Sequence, residues 1–188
     1  MAAPVRAPHM TLEEFLALPE EKAYLEFVNG EVQAKPMPNA NHGRIVIRLG
    51  NRLSTYLDRT GEGEALTEVR HATLTPNDQR VFLPDLNVVP AADAASIPGT
   101  DLVRTHPAFA IEVLSPEDRP VRIADRVQFY LRNGTRLLWL IDPEDRTVTV
   151  FRPDAETLTY TAADTIDASP VLSSFELNLA DLFAAIRD

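Results

Sequence analysis

The sequence predicts a single α/β (α+β) domain, a mixed β-sheet flanked by helices, and three observations carry that expectation. The chain has 188 residues, 45% hydrophobic and 24% charged. That composition is ordinary for a globular domain, which at this size buries roughly 70% of its unfolded surface. An apolar run at 108–114, an amphipathic stretch at 120–132 and a second apolar run at 137–141 make a strand–helix–strand unit. Its simplest form is a right-handed crossover joining parallel strands. Asn29-Gly30 between two apolar-rich runs is a strong hairpin signal and adds antiparallel strands.

Taken in order, Thr11 caps a short helix with Glu14 completing a capping box, and Pro19 limits its length. Strands at 24–28 and 31–34 flank Asn29-Gly30. A loop at 36–43 leads to a helix at 44–59, where Ile45, Leu49, Leu53, Tyr56 and Leu57 share one face. Gly61 and Gly63 end it. Strands follow at 68–74 and 82–89, the second with Pro84 near its start. Residues 91–106 read as a long loop. After the crossover unit, Asn133-Gly134 ends its helix, and Pro143 to Arg146 turns into a strand at 147–152. A strand at 157–160 and a helix at 179–186 close the chain. The order is α, ββ, α, ββ, β, α, β, β, β, α. One domain spanning 1–188 follows, with a flexible segment at 1–10.

Composition narrows the chemistry. There are no cysteines, so disulfides, thiolate metal sites and cysteine catalysis are excluded. A metal must then be held by carboxylates, imidazoles or carbonyls, which suits a hard cation such as Mg²⁺, Mn²⁺ or Ca²⁺. The N-terminus lacks the apolar core of a signal peptide, and no stretch reaches the ~20 apolar residues of a membrane span. The expectation is a cytoplasmic protein without a membrane partner. The net charge of −10 counts against non-specific nucleic-acid binding, although it leaves room for a local basic patch. Arg supplies nearly all the basic residues, and only Lys22 and Lys35 are lysines.

Asp85 and Glu112 stand out because each sits in an apolar strand. A carboxylate there needs a partner, or its pKa rises. Each acid either pairs with an Arg, or sits at a solvated strand end, or the two share a divalent cation that removes their repulsion.

Pro84-Asp85, followed by Ala110-Ile111-Glu112-Val113-Leu114-Ser115-Pro116 and a helix, resembles the PD-(D/E)XK nuclease superfamily. More closely, the chain from Tyr24 almost to its end resembles the Uma-type restriction endonucleases. The hairpin Tyr24 to Glu31, the Asn41-His42-Gly43 step, Asn133-Gly134, Leu138 to Pro143 and Val148 to Arg152 carry that likeness in order. The resemblance implies a restriction-endonuclease-like fold and metal-dependent hydrolysis of DNA. Asp85 and Glu112 would hold Mg²⁺ or Mn²⁺, with the Val113 carbonyl as a third ligand and Glu26 as an accessory carboxylate.

The chain departs from this pattern at the lysine. Leu114 stands two residues after the second acid, where the superfamily usually has Lys. Uma-type proteins often carry the Lys on the following helix, four residues before a Tyr, and that position is Arg126 before Tyr130. Arg cannot serve as a base but can stabilise charge on phosphate. Lys35 is the alternative, and nothing in the sequence ties it to the acids. Arg44, Arg48 and Arg52 form one cationic stripe, and Arg119, Arg122 and Arg126 another. With His42 ahead of a helix, they either grip a phosphate backbone or form solvated ion pairs. Three functions are therefore weighed: a metal-dependent deoxyribonuclease, a nuclease-fold binding module or homo-oligomeric scaffold, and a glycosidase. The last suits strand-embedded acids poorly.

Overall fold

The computed structural model describes residues 9–18, 24–75, 78–97, 99 and 102–187, with the side chain of Leu74 left aside. Pro19 and residues 1–8 of the segment expected to be flexible lie outside the described residues. Met10 donates its N–H to Gly30 O at 3.0 Å. Helix α1 (Leu12–Leu16) starts as the capping box predicts: Thr11 Oγ1 accepts from Glu14 N, and Glu14 accepts from Thr11 N. Strands β1 (Leu25–Val28) and β2 (Glu31–Ala34) pair antiparallel across Asn29-Gly30. Both turn residues have positive φ, 47° and 95°, the conformation a tight hairpin requires.

Helix α2 (Ala40–Thr60) follows, capped by the Asn39 side chain. Next come β3 (Gly63–Leu66), β4 (Arg70–Thr75), β5 (Asp78–Phe82), β6 (Leu86–Pro90), α3 (Ala91–Ala94) and β7 (Leu102–Val103). Strand β8 (Phe109–Val113), helix α4 (Pro120–Arg132) and strand β9 (Leu137–Asp142) form the crossover unit. The chain closes with β10 (Thr147–Phe151), β11 (Leu158–Thr161), β12 (Thr165–Asp167), β13 (Glu176–Asn178) and α5 (Leu179–Phe183). The first sheet runs β2-β1-β5-β4-β7, the second β11-β10-β9-β8-β6-β3, and β12 and β13 form a separate ribbon.

As expected, β8 and β9 are parallel while most other pairs are antiparallel. The predicted face of α2 is buried with Leu86, Val88, Phe109, Ile111 and Trp139. On the other face of the second sheet, Phe129 and Tyr130 of α4 pack with Ala110 and Leu138. Side chains alternate along a strand, so Glu112 follows Ala110 onto the α4 side of β8.

Several local expectations differ from the structure, among them the start of α2, which is at Ala40 rather than 44. Residues 82–89 are not one strand: Phe82 ends β5 in the first sheet, 83–85 cross between the sheets, and β6 joins the second at Leu86. Pro84 has no N–H to extend either ladder. Residues 91–106 contain α3 and β7 rather than loop alone. Gly63 opens β3 instead of ending a helix; a Cβ there would run into the Val89 carbonyl of the paired strand β6. Helix α5 is one turn long and is preceded by the unforeseen β12–β13 ribbon. Beyond it the chain folds back, and Arg187 N and O bond the Asn41 side chain.

Candidate active site

The site forms where the chain crosses between the sheets. Strands β6 and β8 are antiparallel with Leu86 opposite Ile111, so one residue further on Asp85 comes level with Glu112. The crossing peptides cannot join a ladder, and side chains from the hairpin meet them instead. Lys35, just beyond β2, donates to Leu83 O at 2.7 Å. Leu83 N donates to Glu26 Oε1 of β1 at 3.4 Å.

Asp85 is fully buried. Its Oδ1 accepts from Lys35 Nζ at 2.6 Å, and His42 Nε2 lies 3.2 Å away. Its Oδ2 accepts from Val113 N at 2.6 Å. Burial alone would raise this acid, but the Lys35 ammonium and the His42 contact outweigh burial and hold it at about 2. Glu68 completes this lobe, its Oε2 3.7 Å from Lys35 Nζ. Its backbone has φ 54° and its N–H bonds Pro84 O at 3.3 Å. Burial raises the Glu68 carboxyl against the pull of Lys35. Lys35 itself is raised: burial opposes its charge, and Asp85, Glu112 and Glu68 together overcome that.

Glu112 belongs to a second lobe. Tyr130 donates its hydroxyl to Oε1 at 2.9 Å, and Arg126 NH1 lies 3.5 Å from Oε2. The same guanidinium donates to Glu26 Oε2 at 3.1 Å and lies 3.9 Å from Asp118. Burial pushes Glu112 up to about 8 against the pull of Arg126 and Lys35, and the charges of Asp85 and Glu26 add to the rise. Burial also raises the Tyr130 hydroxyl.

The donor set suits a hard divalent cation: several carboxylates converge, and two of their buried oxygens, Glu68 Oε2 and Glu112 Oε2, have no hydrogen bond. Such oxygens are the ligands Mg²⁺ and Mn²⁺ prefer. In the present arrangement Lys35 and Arg126 neutralise the cluster. Among the described residues no three His, Asp or Glu side chains are already disposed as a metal cage.

The structure therefore brings Asp85, Glu112, Glu26, Arg126, Val113 and His42 together. His42 lies in the first turn of α2 rather than ahead of it, because Asn39 supplies the cap and Gly43 is tolerated within the helix. Arg122 donates to Ala34 O at 3.4 Å, beside Lys35. Arg119 is exposed at the N-cap of α4. On α2, Arg44 bonds Asn41, while Arg48 and Arg52 bond Asp181 of α5. A cleft of about 530 Å³ borders the cluster at Ser115 and Asp118 and extends to Asn39, Asp142 and Arg187. Sequence reasoning passed over Glu68 and the Tyr130 hydroxyl. Lys35 entered only as an alternative to Arg126, and no sequence feature tied it to Asp85.

The sequence pattern of the Uma2 family, described as "Putative restriction endonuclease", matches residues 12–180. The fold is similar to a crystal structure described as "a putative nuclease belonging to DUF820 from Anabaena variabilis". That similarity has a TM-score of 0.83 and 27% identity, and covers 94% of this chain and 98% of the other. No curated protein matches the chain.

Proposed function

The chain belongs to the Uma2 family, and from that premise we propose that it is a divalent-metal-dependent endonuclease hydrolysing DNA phosphodiester bonds. The observation that carries this reading is the pair of buried acids, Asp85 just before β6 and Glu112 level with it in β8, with the Glu112 oxygen left without a hydrogen bond. Asp85 and Glu112, with the Val113 carbonyl, would hold Mg²⁺ or Mn²⁺. Bound there, the ion supplies a Lewis acid for phosphate oxygen and lowers the pKa of water.

The protein's own residues orient and neutralise. Arg126 holds Glu26 and Glu112 and sets positive charge beside the reacting phosphate. His42 and the hydrogen bond from Val113 N fix the Asp85 carboxylate. Arg119 and Arg122 at the start of α4, with Arg44 and Arg48 on α2, are the candidates for contacts to the phosphate backbone.

The test is incubation of plasmid and single-stranded DNA with the protein in Mg²⁺ or Mn²⁺, beside Asp85→Ala and Glu112→Ala. Cleavage that needs the ion and is lost in both variants supports the reading. No cleavage, or cleavage that neither substitution alters, overturns it. A second reading, a nuclease-fold binding module without activity, is favoured by Leu114 at the usual lysine position and by the engagement of Arg48 and Arg52 with α5.

A further inference from the structure

The chain uses 16 Arg and 2 Lys among its 18 basic residues. A lysine buried at the acid cluster of such a chain calls for a reason that Arg does not meet. Lys35 stands one residue beyond β2, with its side chain 7% exposed. Two of its N–H groups are committed, to Leu83 O at 2.7 Å and Asp85 Oδ1 at 2.6 Å. Glu68 Oε2, at 3.7 Å, is beyond hydrogen-bond reach. An ammonium has three donors on a compact, freely rotating head, whereas a guanidinium spreads five over a rigid plane. Two acceptors at short range therefore fix the head of Lys35 and leave one donor over among the described contacts.

We propose that Lys35 is a catalytic residue of this site, donating that third N–H to a non-bridging oxygen of the scissile phosphodiester. The inference rests on the nuclease reading above. Arg126 sits among the carboxylates of Glu26, Glu112 and Asp118 and acts as a positioning residue. An incoming phosphate meets Glu26, Glu68, Asp85 and Glu112, so it needs a cation whose donor it can reach, and the one Arg126 nitrogen known to lack a hydrogen bond, Nε, is buried. Glu68, 33% exposed, puts the Lys35 lobe next to solvent.

In the reaction the water oxygen bonds to phosphorus and the bond from phosphorus to the leaving sugar oxygen breaks. One water proton passes to solvent, and the leaving oxygen takes one from solvent. Lys35 keeps its proton throughout and stabilises the negative charge that builds on the non-bridging oxygen.

The test compares the full-length protein with Lys35→Met, Lys35→Gln and the double variant Lys35→Met with Arg126→Lys. Three quantities are measured: plasmid cleavage in Mn²⁺, Mn²⁺ affinity by calorimetry, and the thermal melt. Loss of an aimed donor slows cleavage by about 100-fold or more, while Mn²⁺ affinity holds or tightens because a competing cation is gone. Lys35→Gln retains a donor for Leu83 O and replaces Lys35→Met if the latter melts below assay temperature.

Cleavage within about threefold of wild type in a folded variant overturns the proposal. So does recovery of cleavage through Arg126→Lys, or a loss of Mn²⁺ affinity in step with the rate. If wild type binds Mn²⁺ but cuts nothing, the nuclease reading falls. The phosphate contact is then read from the affinity for a short fluorescent DNA duplex in Mn²⁺. Binding about tenfold weaker in Lys35→Met supports it, and unchanged binding overturns it.

Discussion

Asp85, just before β6, lies level with Glu112 of β8 and both are buried, yet their acid strengths move in opposite directions. Asp85 is held at about 2 and Glu112 is pushed up to about 8. Burial raises both, so the difference lies in the donors. Asp85 has an ammonium and a backbone N–H at 2.6 Å each, with an imidazole nitrogen at 3.2 Å. Glu112 has one neutral hydroxyl at 2.9 Å and a guanidinium at 3.5 Å that it shares with Glu26 and Asp118. The close positive charge of Lys35, with hydrogen bonds to the carboxylate added to it, decides which acid stays ionised in a dry site. The contrast makes Asp85 the standing anion and Glu112 the acid that ionises less readily.

Asp85→Asn removes the anion and strands the buried Lys35 ammonium. Such a loss costs about 3–5 kcal/mol, measured as a lower urea midpoint in the presence of a chelator. A change under about 1 kcal/mol would mean that Lys35 and Asp85 do not form a tight buried pair. Tyr130→Phe leaves Glu112 Oε1 without a donor and costs about 1–2 kcal/mol in the same measurement. No change would show that the hydroxyl does not reach the carboxylate.

The smallest effect is a difference in pH dependence without metal. Glu112 has a raised folded pKa, so its contribution is full below the ordinary value of 4.5 and is lost as pH rises through about 8. Asp85 has a lowered one, so its contribution is present above 3.8 and is lost as pH falls through about 2. Glu112→Gln should therefore flatten the decline of melting temperature between pH 4.5 and 8 and leave the acid limb intact. An unaltered slope in that window would show that Glu112 is ionised in the folded protein.

Much of the fold was legible because its signals are local. Positive φ at Asn29-Gly30, the Thr11–Glu14 box, the buried stripe of α2 and the bounds of α4 each follow from residues within a few turns of one another. The break at Leu83-Pro84-Asp85 was misread as strand, since an apolar run with one Pro looks alike in one sheet or across two. Strands β3, β12 and β13 are held by pairing rather than by periodicity, so a window on the sequence carries too little signal for them.

The same division runs through the site. Asp85 and Glu112 were visible in the sequence because a charge inside an apolar strand is costly wherever the chain goes, and the motif order made them a nuclease-like pair. Their partners were decided only by tertiary structure. Lys35 reaches Asp85 from 50 residues away, and Glu26 meets Arg126 across 100. No spacing rule spans such separations; the sheet-to-sheet crossing brings the hairpin to the ends of β6 and β8. The sequence by itself determined which acids needed a cation. The packing of the hairpin against α4 decided that Lys35 serves Asp85 and Arg126 serves Glu112, because Coulomb energy and hydrogen bonds depend on distance in space and not along the chain.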